Sequence, residues 1–309
     1  MSGAHARRAA LAPAAFVVLW STGFIGAKYG LPYAEPLTFL LWRFVLAALL
    51  LLAVALLMRA PWPATRAEAG HIAVAGLLLH AGYLAGVFGA IHQGVSAGVM
   101  AVIAGLQPVL TALAAGPLLG ERVHARQWAG FALGFAGVLL VVQQRLAFGT
   151  AGTAGYALAF MALASITAGT LYQKRFCSHM DLRTGGVIQF VAAALAMAVC
   201  APLFETMTVR WTPSFLFALG WLVLVLSVGA ITLLYILIRR GEAARVSSLF
   251  YLVPPTTVLM AYAMFGERLS AAALAGMVVS VVGVALVVTE RRPASAALRA
   301  GSRRGRRRS

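Results

Sequence analysis

Residues 118–122 read LLGER and residues 264–268 read MFGER. Each closes one long apolar run and precedes another, 146 positions apart. Sliding the sequence over itself shows what the repetition means. At a shift of 147, Ala97 meets Ala244, Val99 meets Val246 and Pro108 meets Pro255. A one-residue slip follows, and at 146 Gly120-Glu121-Arg122 meets Gly266-Glu267-Arg268. In the same register Gly130 meets Gly276, Gly137 meets Gly283 and Val141-Val142 meets Val287-Val288. Nearer the start, Lys28 meets Lys174, Thr38 meets Thr184 and Phe44-Val45 meets Phe190-Val191, while Gly82 meets Gly229 and Gly94 meets Gly241 at 147. The chain is two related halves.

Composition says what medium those halves occupy. Of 309 residues, 61% are hydrophobic and only 11% charged, with mean hydropathy +0.89. A soluble chain of this length covers its core with far more charge. The apolar runs approach the roughly 20 residues that cross a hydrocarbon layer about 30 Å thick. The alternating segments of about 10 residues that mark a membrane β-barrel are absent from the sequence. Charges and turn residues cut it into ten spans: 11–28, 36–58, 70–91, 95–119, 125–143, 153–173, 184–204, 213–238, 245–265 and 270–289. The expected class is an all-α polytopic membrane protein. Its start, MSGAHARRAALAPAAFVVLW, resembles a signal peptide but runs on to Ala27 without a convincing cleavage site, which reads as an uncleaved first span.

The net charge of +17 sits between the spans and in the tail. With the N-terminus cytoplasmic, 20 Lys and Arg face the cytoplasm and 4 the other side; without the tail the ratio is still 12 to 4. The positive-inside rule thus places both termini in the cytoplasm and leaves no need for nucleic acid as a partner. Each half has five spans, an odd number, so the second half enters the membrane from the opposite side. Such inverted repeats are typical of secondary transporters. The expected parts are a cytoplasmic N-terminus (1–10), a first five-helix repeat (11–143), an external linker (144–152), a second repeat (153–290) and a basic, disordered cytoplasmic tail (291–309) drawn to anionic lipid.

The stretches LWSTGFIGAKYGLPYAEPLTFLLWRFVLAALLLL (19–52) and SAGVMAVIAGLQPVLTALAAGPLLGER (96–122), matched by ARVSSLFYLVPPTTVLMAYAMFGERLS (244–270), resemble an EamA-type member of the drug/metabolite transporter superfamily. The resemblance runs over about 11–290. It implies ten helices in an inverted repeat and export or exchange of small metabolites across a bacterial inner membrane.

Candidate site residues follow from what lipid tolerates. Arg43 is the one Lys or Arg well inside a span, and such a charge must face protein or water. It is expected to clamp a substrate carboxylate or another anion. Its repeat mate is Gln189. Pro108 beside Gln107, and Pro254 and Pro255 in the matching span, are expected to interrupt their helices and free the carbonyls of Ala104, Phe250 and Tyr251, shaping a central cavity or a gate. Trp20, Ser21, Trp42, Tyr83 and Tyr251, with Phe88 and Tyr235, are candidates to line it. His80, the one mid-span histidine, joins Gln107 and Gln189 among the candidates to contact substrate, with bridging between helices as its other reading. No Asp or Glu lies deep in any span, so facilitation or exchange is expected rather than proton pumping. Gly120-Glu121 and Gly266-Glu267 read as structural turns, Ser270 and His124 as N-caps of the spans that follow. Gly82–Gly86 and Gly130–Gly134 permit close helix approach, the second pair with a possible homodimer.

Cys177 and Cys200 are too far apart along the spans for a disulfide, and no metal spacing, cofactor motif, HExxH or GxSxG occurs. An enzyme is therefore not expected. The rival readings are a carrier of phosphorylated or nucleotide-linked cargo and a non-transporting scaffold or sensor.

Overall fold

A computed structural model describes residues 2–95, 100, 103–143, 152–241, 243–265 and 270–289, and these are helical almost throughout. Counted through internal π and 3-10 turns, the helices are α1 (Ser2–Gly30), α2 (Pro36–Leu57), α3 (Arg66–His92), α4 (Gln107–Leu119), α5 (Ala125–Val142), α6 (Thr153–Phe176), α7 (Leu182–Phe204), α8 (Pro213–Arg240), α9 (Ala243–Ser248, a 3-10 turn Leu249–Leu252, then Val253–Phe265) and α10 (Ala271–Val288). Six of them, α2, α3, α6, α7, α8 and α10, are long and apolar enough to cross a bilayer. Their outward faces carry Leu57, Leu195, Val199, Leu203 and Phe217, which lipid solvates and water would not.

Local chemistry sets the ends. Gly120 takes the left-handed conformation at the end of α4, φ +69°, which costs a glycine little. Thr65, Asp181, Thr212 and Ser270 accept backbone N–H bonds at the starts of α3, α7, α8 and α10. At α5 the reverse bond is present: His124 N–H donates to Gln127 Oε1 at 2.9 Å. The second Gly-Glu-Arg turn, including Gly266 and Glu267, lies outside the described residues, as do the linker at 144–151 and the tail.

Three expectations change. The first helix begins at Ser2 rather than at residue 11. The fourth span is not one helix: a turn at 105–106 precedes α4. Consequently Pro108 stands in the first turn of α4, and Pro254 and Pro255 in the first turn of the second part of α9. The first four N–H groups of a helix have no internal partner, so a proline there forfeits nothing. These prolines start helices at a break; they do not kink continuous ones.

Packing is reciprocal between the halves. α1 lies on α8 and α9, and its mate α6 lies on α3 and α4. α2 meets α7 and α8, while α7 meets α2 and α3; α5 pairs with α10. The α5–α10 contact is made by glycines: a Cβ at Gly130 would stand 2.7 Å from the Gly283 carbonyl, and one at Gly283 would stand 2.4 Å from Gly134 N. The Gly130–Gly134 face is thus occupied within the chain, which removes it as a dimer surface. Gly82 and Gly86 likewise bring α3 onto α6, against Ser165 and Leu158.

The loops gather at two ends. At one, Thr184 Oγ1 donates to Pro61 O at 2.7 Å, Arg175 to Leu118 O at 2.9 Å, and Arg126 to Thr289 Oγ1 at 3.0 Å. This is the basic end. At the opposite end, Glu205 accepts from Leu37 N, Thr38 N and Thr38 Oγ1 at 2.7–2.8 Å, capping α2 from the other half. Glu35 there accepts from Thr206, Arg210 donates to Pro32 O, and Ala34 pairs with Val209 in an isolated antiparallel bridge.

Candidate functional site

Arg43 sits on the buried face of α2, 6% exposed. Its Nε donates to Ser227 Oγ on α8 at 3.0 Å. No hydrogen bond from its terminal nitrogens is present among the described residues. Tyr83 on α3 is buried nearby, within hydrogen-bonding reach of the Trp20 indole and close enough to Arg43 to feel its charge. Trp20 packs edge-on against Phe250 at 5.2 Å and against Phe16. Together these form a cationic group with aromatic walls.

The repeat mate of this site lies beside it. Gln189 on α7 accepts a bond from the Tyr235 hydroxyl, and His80 Nε2 meets that hydroxyl at 2.9 Å. Gln189 Nε2 donates to Gln173 Oε1 at 2.8 Å. The His80 ring stacks on Phe190 at 4.4 Å and 21°. His80 is therefore wedged and bonded between α3, α7 and α8. The mates are exact in register: Arg43 with Gln189 at 146, and Ser227 with His80 at 147. Both Ser227 and His80 lie in π-helical segments, Leu222–Ala230 and Leu77–Gly82. A π turn holds an extra residue and re-aims the side chains beyond it, a feature often found at functional positions.

A third polar group lies at the helix breaks. Gln107 Nε2 donates to Ser247 Oγ at 3.1 Å, tying α4 to the first part of α9. Gln107 Oε1 and the Tyr251 hydroxyl are buried with no partner among the described residues. Ser21 Oγ donates to Val17 O at 2.7 Å and reaches Val253 O at 3.3 Å, so it holds α1 against the α9 break. The Tyr251 ring fills the space at Gly134, where a Cβ would come within 2.4 Å of it.

Trp42 is the exception among the expected lining residues. It is 39% exposed and packs edge-on against Trp211 at 5.3 Å on the outer surface. An amphipathic indole suits the membrane–water boundary, and Trp42 belongs there rather than in the cavity. Conversely Ser227, Gln173 and Ser247 belong to the polar interior and escape a reading of the sequence alone. The repeat offered a signal for Ser227, because it falls where His80 falls in the other half.

A cavity of about 380 Å³ opens at the opposite end, lined by Tyr33, Glu35, Phe88, His92, Thr208 and Arg210 among others. Phe88 lies five residues beyond Tyr83 on α3, about 7.5 Å of helix; Arg43, Trp20 and Tyr83 are not among the residues that line this cavity. Among the described residues no cluster of three or more His, Cys, Asp or Glu could hold a metal ion.

The EamA-like transporter family model matches the chain twice, over residues 8–143 and 153–289. "Uncharacterized transporter YvbV" of Bacillus subtilis is 27% identical, with 94% of each chain covered. "Uncharacterized inner membrane transporter YedA" of Escherichia coli K12 is 29% identical over 88% of each. A "Probable amino-acid metabolite efflux pump" of the same organism is 28% identical, covering 87% of this chain and 90% of that one. One solved crystal structure superposes with TM-score 0.75 at 23% identity, over 89% of this chain and 94% of the other, a likeness of fold.

Proposed function

Because this chain belongs to the EamA-like transporter family, we propose that it moves small organic metabolites, amino acids or related compounds, out of the cell by alternating access, through facilitation or exchange. It is a multi-pass membrane protein whose relatives include an inner membrane transporter. In this reading the ten helices form an inverted repeat, and the basic end with both termini faces the cytoplasm. The reciprocal packing of α1 with α6 and of α2 with α7 supports the first, and the distribution of Lys and Arg the second.

One observation carries the choice of cargo. Arg43 is a buried guanidinium, one nitrogen is held by Ser227, and no Asp or Glu lies deep in any span to balance it. A cargo carboxylate is the group that completes it, through charge-assisted bonds to the two terminal nitrogens. A phosphorylated cargo would call for several paired cations, and Arg43 stands alone. Trp20 and Tyr83 supply flat apolar walls beside the clamp.

The test is a library of carboxylates and amino acids screened by thermal shift on purified protein, with the hits measured as flux in liposomes. Arg43→Lys, Gln and Met are then compared at equal surface level. Stabilisation and flux should fall together in the Gln and Met variants, with Lys between. Undiminished flux in all three rejects the clamp, and no flux above empty liposomes with any solute rejects transport.

A further inference from the structure

We propose that Glu121 and Lys174 form a latch that holds the basic end of the bundle shut, and that its release opens the path from that side. The inference rests on the alternating-access reading and gives the first Gly-Glu-Arg turn a task beyond turning the chain.

Both Glu121 carboxylate oxygens lie within 3.0–3.1 Å of the Ala243 N–H at the start of α9. The bond crosses from the first half of the chain to the second, 122 residues on. Lys174, at the end of α6, donates its ammonium to Ile238 O at 2.9 Å and to Gly241 O, where α8 ends. Arg239 on α8 returns the contact by donating to Met180 O in the α6–α7 loop. A carboxylate at a helix N-terminus and an ammonium at a C-terminus each meet the sign of charge that helix end prefers. The lacing joins the end of α4 to α9, a pair that Gln107 and Ser247 also tie at the breaks deeper in the bundle, and it joins α6 to α8.

Its placement makes it a latch rather than ordinary loop packing. α4 begins at a break, and α9 has a 3-10 turn directly after the short piece that Glu121 grips. A segment with a break behind it swings when its end is released. The open cavity lies at the other end of the molecule, among residues that Glu35, Glu205 and Arg210 also tie between the halves, so opening toward the basic end is what this lacing opposes. Opening toward the basic end requires α4 to leave α9 and α6 to leave α8, which breaks these bonds first.

Cys177 is a built-in reporter, three residues past Lys174 and 2% exposed. Burial, with Glu68 adding to it, pushes its thiol up to about 11 and keeps it unreactive while the end is shut. The experiment follows maleimide labelling of Cys177 in a Cys200→Ser background, and labelling of a second variant carrying His92→Cys on the cavity wall with Cys177→Ser. Glu121→Ala and Lys174→Ala should each raise Cys177 labelling roughly tenfold, the scale of one lost charge-assisted bond, and should lower labelling at His92→Cys. Glu121→Gln keeps a carbonyl for the Ala243 N–H and should fall between; it carries the test if the alanine variants fail to fold. Arg240→Ala, an exposed cation at the same end, should change neither. Unchanged labelling in variants with a normal melting temperature overturns the latch. So does a rise at Cys177 with no fall at His92→Cys, which is local fraying. The readout needs no cargo, so a failed flux assay and a failed latch are told apart.

Discussion

Arg43 and Gln189 occupy equivalent places in the two halves; Arg43 bonds Ser227 in the π-helical segment of the other half, and Gln189 is joined to His80 in the matching segment through the Tyr235 hydroxyl. There the likeness stops. Around Gln189 the polar groups are joined to one another: Tyr235, His80 and Gln173 form a hydrogen-bonded chain with it, and Phe190 stacks on the imidazole. Around Arg43 a full charge meets one serine hydroxyl among the described residues. Two substitutions account for much of this. Gly76 on α3 lets the Gln189 backbone approach so closely that a Cβ there would stand 2.5 Å from it, and its mate on α8 is Val223. Tyr235 brings a hydroxyl into the Gln189 site, and its mate is Phe88. The two halves supply two matched places; here one is packed as a fastening, and the other is the place proposed to bind cargo.

That contrast can be broken on either side. The largest effect is expected from Gly76→Val, which drives a side chain into the Gln189 backbone where nothing flexible can yield. Folded yield should collapse, measured by size-exclusion chromatography in detergent, whereas Val223→Ala in the mate site should cost about 1–2 kcal/mol. Equal damage from the two would mean that the sites are packed alike.

Arg43→Met set against Gln189→Met comes next. The first should abolish cargo-dependent stabilisation and flux at normal surface level. The second should lower the melting temperature but keep flux, because it removes a fastening. The reverse result would move the binding site to the Gln189 side.

Tyr235→Phe isolates the hydroxyl that joins His80 to Gln189. Leaving those two groups unpaired should cost about 1–3 kcal/mol. The variant Phe88→Tyr, which makes the halves more alike, should not recover it.

The smallest effects lie at the helix starts, where the halves also differ. Asp181 caps its own helix, while its mate Glu35 bonds Thr206 and leaves Glu205 to cap α2 from the other half. The bond from Arg183 holds the Asp181 carboxyl below its ordinary value. A lowered carboxyl stabilises fully above its unfolded value, about 4, and that stabilisation fades as pH falls through the lower folded value. Asp181→Ala should therefore cost about 1 kcal/mol at neutral pH and show a smaller loss on acidification than the parent, read by melting temperature. Glu205→Ala should cost more, because it severs a fastening between halves as well as a cap.

What the sequence determined is what depends on near neighbours or on the medium. Hydropathy and charge defined a helical chain in lipid, because an unpaired backbone group there costs several kcal/mol. The repeat paired Arg43 with Gln189 before any coordinates, since both descend from one position in a common unit. Gly120 and Ser270 showed helix ends, whose chemistry is complete within a few residues. Tertiary structure alone decided the rest. Trp42 and Trp20 look alike in an apolar string, and only the rotation of each helix against its neighbours sends one to the surface and one inward. The bond from Arg43 to Ser227 spans 184 positions and that from Ala243 to Glu121 spans 122. No local pattern encodes such contacts, because they exist only once α2 lies against α8 and α4 against α9.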